Sequence, residues 1–164
     1  MKTLIFVRHA KSSWADPSLQ DHDRPLNNRG KRDAPVMGQL LHGRGIMPDL
    51  MITSSAKRAR RTAKVIAKEL GYPKEDLKIV PAIYGAFAQD ILELIKMLDD
   101  ELNCVMVFGH NPEFTSLANY FSTEYIDNVP TCGIVTIQVG CEHWKDVDNG
   151  NSKLIAFDYP KKFQ

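Results

Sequence analysis

The chain has 164 residues, 43% of them hydrophobic and 25% charged, with 21 Lys and Arg against 20 Asp and Glu for a formal net charge of +1. This composition is that of a folded globular protein and excludes a disordered chain. A charge so near balance excludes a surface built throughout for nucleic acid or anionic membrane, though not a local cationic pocket.

At this length one domain, residues 1–164, is expected, able to bury about two thirds of its unfolded surface without a metal or disulfide staple. Residues 3–7 are a short continuous apolar run, as in a strand buried on both faces. The apolar stretch 4–7 is too short for a signal-peptide core. Residues 28–42 carry a helical pattern with Met37, Leu40 and Leu41 on the buried side, and residues 48–53 read as a second strand. A helix over 56–70 is predicted by Ala59, Ala63, Ile66, Ala67 and Leu70 at spacings of three and four, with Gly71 at a left-handed C-cap and Pro73 beyond it. A third strand over 77–80, a helix over 90–98 and a buried strand over 104–108 follow. Pro112 suits the first turn of a helix reaching about residue 121.

Beyond residue 130 the pattern changes to alternation, with Ile134, Thr136 and Gln138 against Val135, Ile137 and Val139. Together with residues 153–157 this predicts a closing antiparallel pair. The connection over 140–152 is polar and expected to be exposed. Strand–helix repetition with an antiparallel close predicts the α/β class: a three-layer α/β/α sandwich with a mostly parallel central sheet.

No run approaches the roughly 18 apolar residues needed to span a bilayer. Cys104, Cys132 and Cys141 are odd in number and lack CxxC spacing, so neither a disulfide framework nor a zinc site is indicated. Cys104 reads as a small buried hydrophobe. A reducing, cytoplasmic location is expected, with no membrane contact. A nucleic-acid partner would rest on Arg58, Arg60 and Arg61 alone, which have no interleaved aromatics, and is not expected.

Two histidines fall at equivalent places, just past the C-terminal end of a buried strand: His9 after residues 4–8 and His110 after residues 105–109. Ligands of open α/β sheets bind at that edge. A lone histidine there is more often a hydrogen-bonded structural residue. Two of them, one beside Arg8, point to a site instead. An unpaired guanidinium at the tip of an apolar strand is costly, so Arg8 calls for an anion. Over residues 53–63 a strand ends, Ser54 or Ser55 is expected to cap the next helix, and Arg58 lies in its first turn. Free backbone N–H groups at that start favour an anion that Arg58 can also reach. Lys57, Arg60 and Arg61 cannot share its direction and read as a solvated basic face. Arginines, histidines and a helix start converging on one sheet edge describe a phosphate pocket.

These residues carry a resemblance. Arg8-His9-Ala10-Lys11-Ser12 resembles the RHG-type signature of the histidine phosphatase (phosphoglycerate mutase-like) superfamily. Arg24-Pro25-Leu26-Asn27-Asn28-Arg29-Gly30 is similar to its R-x-L-T-x-x-G segment, with Asn27 where Thr is usual, and residues 54–63 to S-P-x-x-R-A-x-x-T-A, with Ser55 in the proline place. Gly109-His110-Asn111-Pro112 resembles the G-H-N-P block of the small members, the SixA-like phosphohistidine phosphatases. The resemblance implies a phosphoglycerate mutase-like fold and His9 as the nucleophile of a covalent phosphohistidine intermediate. It implies that Arg8, Arg58 and His110 clamp the equatorial oxygens, with Ser12 and Asn111 as further phosphate contacts. Neither a cofactor nor a metal is expected. The implied substrate is a phosphorylated protein carrying phosphohistidine, or a small phosphorylated molecule, and the product inorganic phosphate. A monomer is compatible with this size.

Departures from the pattern bear on chemistry. Many members protonate the leaving group with a Glu after the third strand or an Asp after the second histidine; here Asn111 follows His110, and the loop 81–90 holds only Asp90, which also suits a helix start. Asp21 and Asp23 are the other acid candidates, unless they are solvated or paired with Arg24. General acid help typically contributes about 10²–10⁴-fold, most where an alkoxide leaves. A missing acid therefore favours phosphohistidine or a similarly activated substrate. Ala15 replaces a family Asn three residues after Ser12, while Ser13 and Trp14 flank the pocket. His42 and His143 read as structural or solvated. Three readings stand: a phosphohistidine phosphatase, a small-molecule phosphomonoesterase using one of the three Asp residues, and a non-catalytic module that binds phosphorylated partners.

Overall fold

The computed structural model describes residues 1–164. Its strands are β1 (Lys2–Arg8), β2 (Leu50–Thr53), β3 (Lys78–Ile79), β4 (Cys104–Gly109), β5 (Ile134–Val139) and β6 (Ser152–Asp158). Its longer helices are α1 (Asn28–Gly43), α2 (Lys57–Leu70), α3 (Ala88–Lys96) and α4 (Glu113–Phe121). The strands form one sheet in the order β3-β2-β4-β1-β5-β6. The first four are parallel, while β5 runs antiparallel to both β1 and β6. This is the expected α/β sandwich with its antiparallel close.

Central β1 explains why its sequence shows no alternation. Leu4 and Phe6 face a core shared with Ile91 and Ile95 of α3 and Phe114 and Leu117 of α4. Ile5 and Val7 face the opposite core, with Met37 and Leu41 of α1 and Ala63 and Ile66 of α2. Side chains alternate between faces along a strand, so a strand covered by helices on both sides must be apolar at both parities. Each such side chain, taken from water, contributes about 1.5–3 kcal/mol.

Helix α1 starts at Asn27, whose side-chain oxygen accepts from the Gly30 N–H at 2.9 Å. Gly30 is required there, because a Cβ would collide with the backbone carbonyl of Lys11 in the loop after β1. Gly71 closes α2 at φ 71°, as expected. At the other end of α2 the expectation fails: the N-cap is Ala56, with no side-chain cap. Ser54 accepts from the Ala56 N–H at 3.2 Å, two residues on, in a local turn that keeps its hydroxyl on the sheet edge.

Two other regions differ from expectation. Helix α3 begins at Ala88 rather than residue 90, which puts Asp90 in its first turn with its carboxylate accepting from the Phe87 N–H at 2.9 Å. The connection over 140–152 is not merely exposed: Trp144 within it is fully buried and donates its indole N–H to the Leu102 carbonyl at 3.0 Å. One large aromatic is enough to pin a polar loop, because its apolar area outweighs the polarity of its neighbours. No helix is long and apolar enough to cross a membrane.

Candidate active site

Strands β1 and β4 pair in parallel with Arg8 opposite Gly109, so the residues that follow, His9 and His110, leave the sheet side by side. Their ring centroids are 5.2 Å apart. The backbone of His9 is held on both sides: its N–H donates to Gly109 and its carbonyl accepts from Cys132. Its Nδ1 lies 2.8 Å from the Ala10 carbonyl. A carbonyl only accepts, so Nδ1 carries the proton and Nε2 is the unprotonated, accepting nitrogen. Arg58 Nε points at that Nε2 from 3.4 Å. Burial lowers the His9 pKa to about 3; the Ala10 carbonyl opposes this, while His110, Arg58 and Arg8 reinforce it. The ring is therefore neutral at ordinary pH.

His110 is held in the other tautomer. Its Nε2 lies 2.7 Å from Ser54 Oγ, and that hydroxyl already accepts from Ala56 N–H, so its own hydrogen is free to go to the ring. Nδ1 then bears the proton, and it is buried with no partner. Burial, helped by the charge of Arg58, takes the His110 pKa down to about 4. Arg8 donates from Nη1 to the Val129 carbonyl at 3.0 Å, while its Nε is also buried without a partner. Burial first and Arg58 second lower its pKa from the ordinary arginine value. Unmade bonds at buried donors cost about 1–3 kcal/mol each, which an anion in the pocket would recover. Helix α2 locks this arrangement, since Thr62 Oγ1 accepts from Ala10 N–H and donates to the Arg58 carbonyl.

The three acid candidates separate. Asp21 comes to the pocket: its Oδ2 lies 3.0 Å from Arg58 Nη2 and 2.7 Å from the Tyr84 hydroxyl, and its Oδ1 3.1 Å from Arg24 Nε. Partial burial pushes its pKa up, but hydrogen bonds from Tyr84, Arg58 and Arg24 and the charge of Arg58 outweigh this and hold it at about 2. Asp23 lies outside, with its carboxylate 3.6 Å from His22 Nδ1. Asp90 is engaged at the start of α3.

Ser12 is buried and accepts from Arg24 Nη1 at 2.8 Å. The side chain of Asn111 donates to Asn128 and Val129 and accepts from Thr115, so each of its hydrogen-bonding groups is engaged within the protein. It braces the same carbonyl that holds Arg8.

Four residues at the site are not among those that the sequence marks as site residues. Ser54 orients His110. Arg24, 7% exposed, stacks on Trp14 at 3.5 Å while gripping Ser12 and Asp21. Tyr84 sits edge-on to both His22 and His110, and His22 Nε2 lies 2.9 Å from Ser55 Oγ. The available signals were a lone tyrosine in an otherwise apolar loop and an arginine inside a matched block. No group of three or more His, Cys, Asp and Glu side chains is arranged to hold a metal ion. The pocket can accept an anion on Arg8, Arg58 and His110 Nδ1 with a neutral imidazole nitrogen against it.

The sequence model of the histidine phosphatase superfamily (branch 1) matches residues 4–81. An uncharacterised chloroplastic protein of Arabidopsis thaliana is 32% identical over 153 residues, 88% of this chain and 70% of its own length. An uncharacterised protein of Mycobacterium tuberculosis is 31% identical over 167 residues, 94% of this chain and 100% of its own length. Among solved structures, an Agrobacterium tumefaciens protein provisionally assigned as phosphohistidine phosphatase SixA superposes with a TM-score of 0.81 at 27% identity, covering 97% of this chain and 98% of that one. Protein histidine phosphatase SixA complexed with tungstate superposes with a TM-score of 0.83 at 19% identity, covering 99% of each, and so shares the fold.

Proposed function

The chain belongs to the histidine phosphatase superfamily and is a phosphatase, and from that premise we propose that it hydrolyses phosphohistidine in a partner protein through a phosphoenzyme on His9. The Nε2 lone pair of His9 attacks phosphorus while the P–N bond to the substrate imidazole breaks, and the leaving nitrogen takes a proton from solvent. Arg8, Arg58 and His110 Nδ1 hold the equatorial oxygens and compensate the charge that builds up during in-line transfer. Water then attacks the phosphoryl group on His9, the Nε2–P bond breaks, and inorganic phosphate leaves. The charge is met by arginines, which stay protonated at any working pH.

The observation that carries this reading is the state of Asp21. Of the acid candidates it is the one facing Arg58, and with Tyr84, Arg58 and Arg24 holding its pKa at about 2 it stands in the unliganded protein as an ionised hydrogen-bond acceptor, not as the protonated carboxyl that an alkoxide leaving group would need. An imidazole leaves phosphorus without that help. The 27% identity to the Agrobacterium protein supports the same class.

The test is phosphate release from a phosphohistidine protein and from an alkyl phosphomonoester, in chelator, by wild type and His9→Ala. Fast release from phosphohistidine, slow release from the monoester and loss of both in the variant are expected. Comparable rates on the monoester would point to a small-molecule phosphatase with a proton donor. Binding without turnover would point to a non-catalytic module.

A further inference from the structure

Next to the phosphate pocket lies a second concentration of positive charge with no role in the chemistry above. A cavity of about 440 Å³ between α1 and α2 is lined by Lys31, Lys57, Arg60, Arg61 and Lys64, together with Pro25 and Leu26. An adjoining cavity of about 950 Å³ shares Lys31, Arg61 and Lys64 and adds Lys68 and Lys74. None of the five cations of the first cavity forms an ion pair with a carboxylate. Helix α2 carries six cations against one acid, Glu69, in a chain whose net charge is only +1. Read from sequence, Lys57, Arg60 and Arg61 form a solvated basic face; folding instead gathers them with Lys31 of α1 around one concavity. Like charges held this close repel, a cost that spreading them around the surface would avoid.

Residues lining the groove are linked to residues of the site through the chain and through hydrogen bonds. Pro25 and Leu26 directly follow Arg24, which reaches Ser12 and Asp21. Arg60 Nε donates to the Ser55 carbonyl, and Ser55 Oγ meets His22 beside Tyr84. Along its length the groove follows α2, whose 14 residues span roughly 21 Å at about 1.5 Å per residue, the reach of about six extended residues.

We propose that this groove docks a run of Asp and Glu in the phosphorylated partner protein, leading its phosphohistidine to His9; the proposal rests on the phosphohistidine reading. Several features favour an acidic segment over a nucleic acid. Tyr72, in the far cavity, is the one aromatic lining the groove, so bases have little to stack on. The cations are spread over separate side chains with Glu69 and Glu75 among them, a pattern that a peptide can match by placing its acidic side chains opposite the cations, whereas a phosphate backbone carries a charge at every step.

The experiment uses two synthetic phosphohistidine peptides that differ only in a flanking run, six Asp and Glu in one and six Asn and Gln in the other. Each is given to wild type and to the double variant Arg61→Glu, Lys64→Glu, both exposed positions. For wild type the acidic run is expected to lower KM roughly tenfold, since several exposed ion pairs act together, and added salt is expected to erase the difference. In the variant the preference is lost while kcat on the neutral peptide is unchanged. Equal KM values for the two peptides in wild type, or a preference that survives in the variant, would overturn the proposal. So would tighter binding of an oligouridylate than of the acidic peptide, lost in the variant, which would make the groove a nucleic-acid site. If neither peptide is hydrolysed, the phosphohistidine reading fails, and fluorescence anisotropy of the labelled unphosphorylated acidic peptide still decides the docking question.

Discussion

His9 and His110 stand 5.2 Å apart, ring to ring, in opposite tautomers. The Ala10 carbonyl takes the proton of His9 Nδ1, and the Ser54 hydroxyl supplies one to His110 Nε2. One ring therefore offers a lone pair to the pocket and the other an N–H. Two neutral imidazoles with the same covalent structure are suited to the nucleophile and donor roles proposed for them by what lies behind each. That division gives Ser54, and not only the histidines, a part in the proposed chemistry.

Replacing Ser54 with Ala is expected to let His110 sample both tautomers. The value of kcat/KM falls about tenfold, less than the hundredfold or more expected when an oxyanion donor is removed outright. Stability drops by about 1–2 kcal/mol for the buried nitrogen left without a partner. Steady-state rates with denaturant unfolding check both, and unchanged rates would show that another group orients His110.

The buried imidazoles set an acid limit on stability. Their folded pKa values, about 3 for His9 and about 4 for His110, lie below the ordinary 6.5, so between these values the unfolded chain binds more protons than the folded one. The stabilisation is present in full above about pH 6.5 and is lost as pH falls towards 4 and then 3, each unit of displacement being worth about 1.4 kcal/mol. Urea unfolding at about pH 7 and about pH 5 is expected to show a large drop for wild type and a much smaller one for a variant with both histidines replaced by Asn. Equal drops would place the acid sensitivity elsewhere.

Asp21 holds the Arg58 guanidinium that, in the proposed reaction, the phosphoryl oxygens also use. With Asn at position 21 the competing charge is gone, and inhibition by inorganic phosphate is expected to tighten about threefold, in keeping with an exposed ion pair. The kcat on phosphohistidine stays within about threefold of wild type, because a carboxylate ionised from about pH 2 upward donates no proton. A hundredfold loss of kcat would identify Asp21 as the acid after all.

Trp144 separates stability from activity. It is fully buried against the α3–α4 side of the sheet, away from the phosphate pocket. Its replacement by Ala is expected to cost about 3–5 kcal/mol, visible as a lower denaturation midpoint, with kcat per folded molecule unchanged. A lost kcat in folded protein would mean that the loop reaches the site.

The chain's own order of residues determined the sheet core, the helices and the placing of His9 and His110 at one edge, because those signals are short-range. An apolar run such as 104–108 and the three-and-four spacing in 59–70 reflect the backbone's own periods, and a residue that follows a buried strand must emerge at its end. Arg8, Arg58 and the two histidines were legible for that reason. What only the tertiary structure decided are pairings between distant segments: Tyr84 with Asp21 across 63 residues, His110 with Ser54 across 56, and Arg58 with Asp21 across 37. No local period records such partners. The choice of Asp21 over Asp23 and Asp90, the tautomers of the two rings and the gathering of basic side chains into one groove therefore emerge only when the loops close over the sheet edge. Trp144 makes the same point from the other direction: in a polar stretch, a single aromatic's burial depends on the surface that folding brings beneath it.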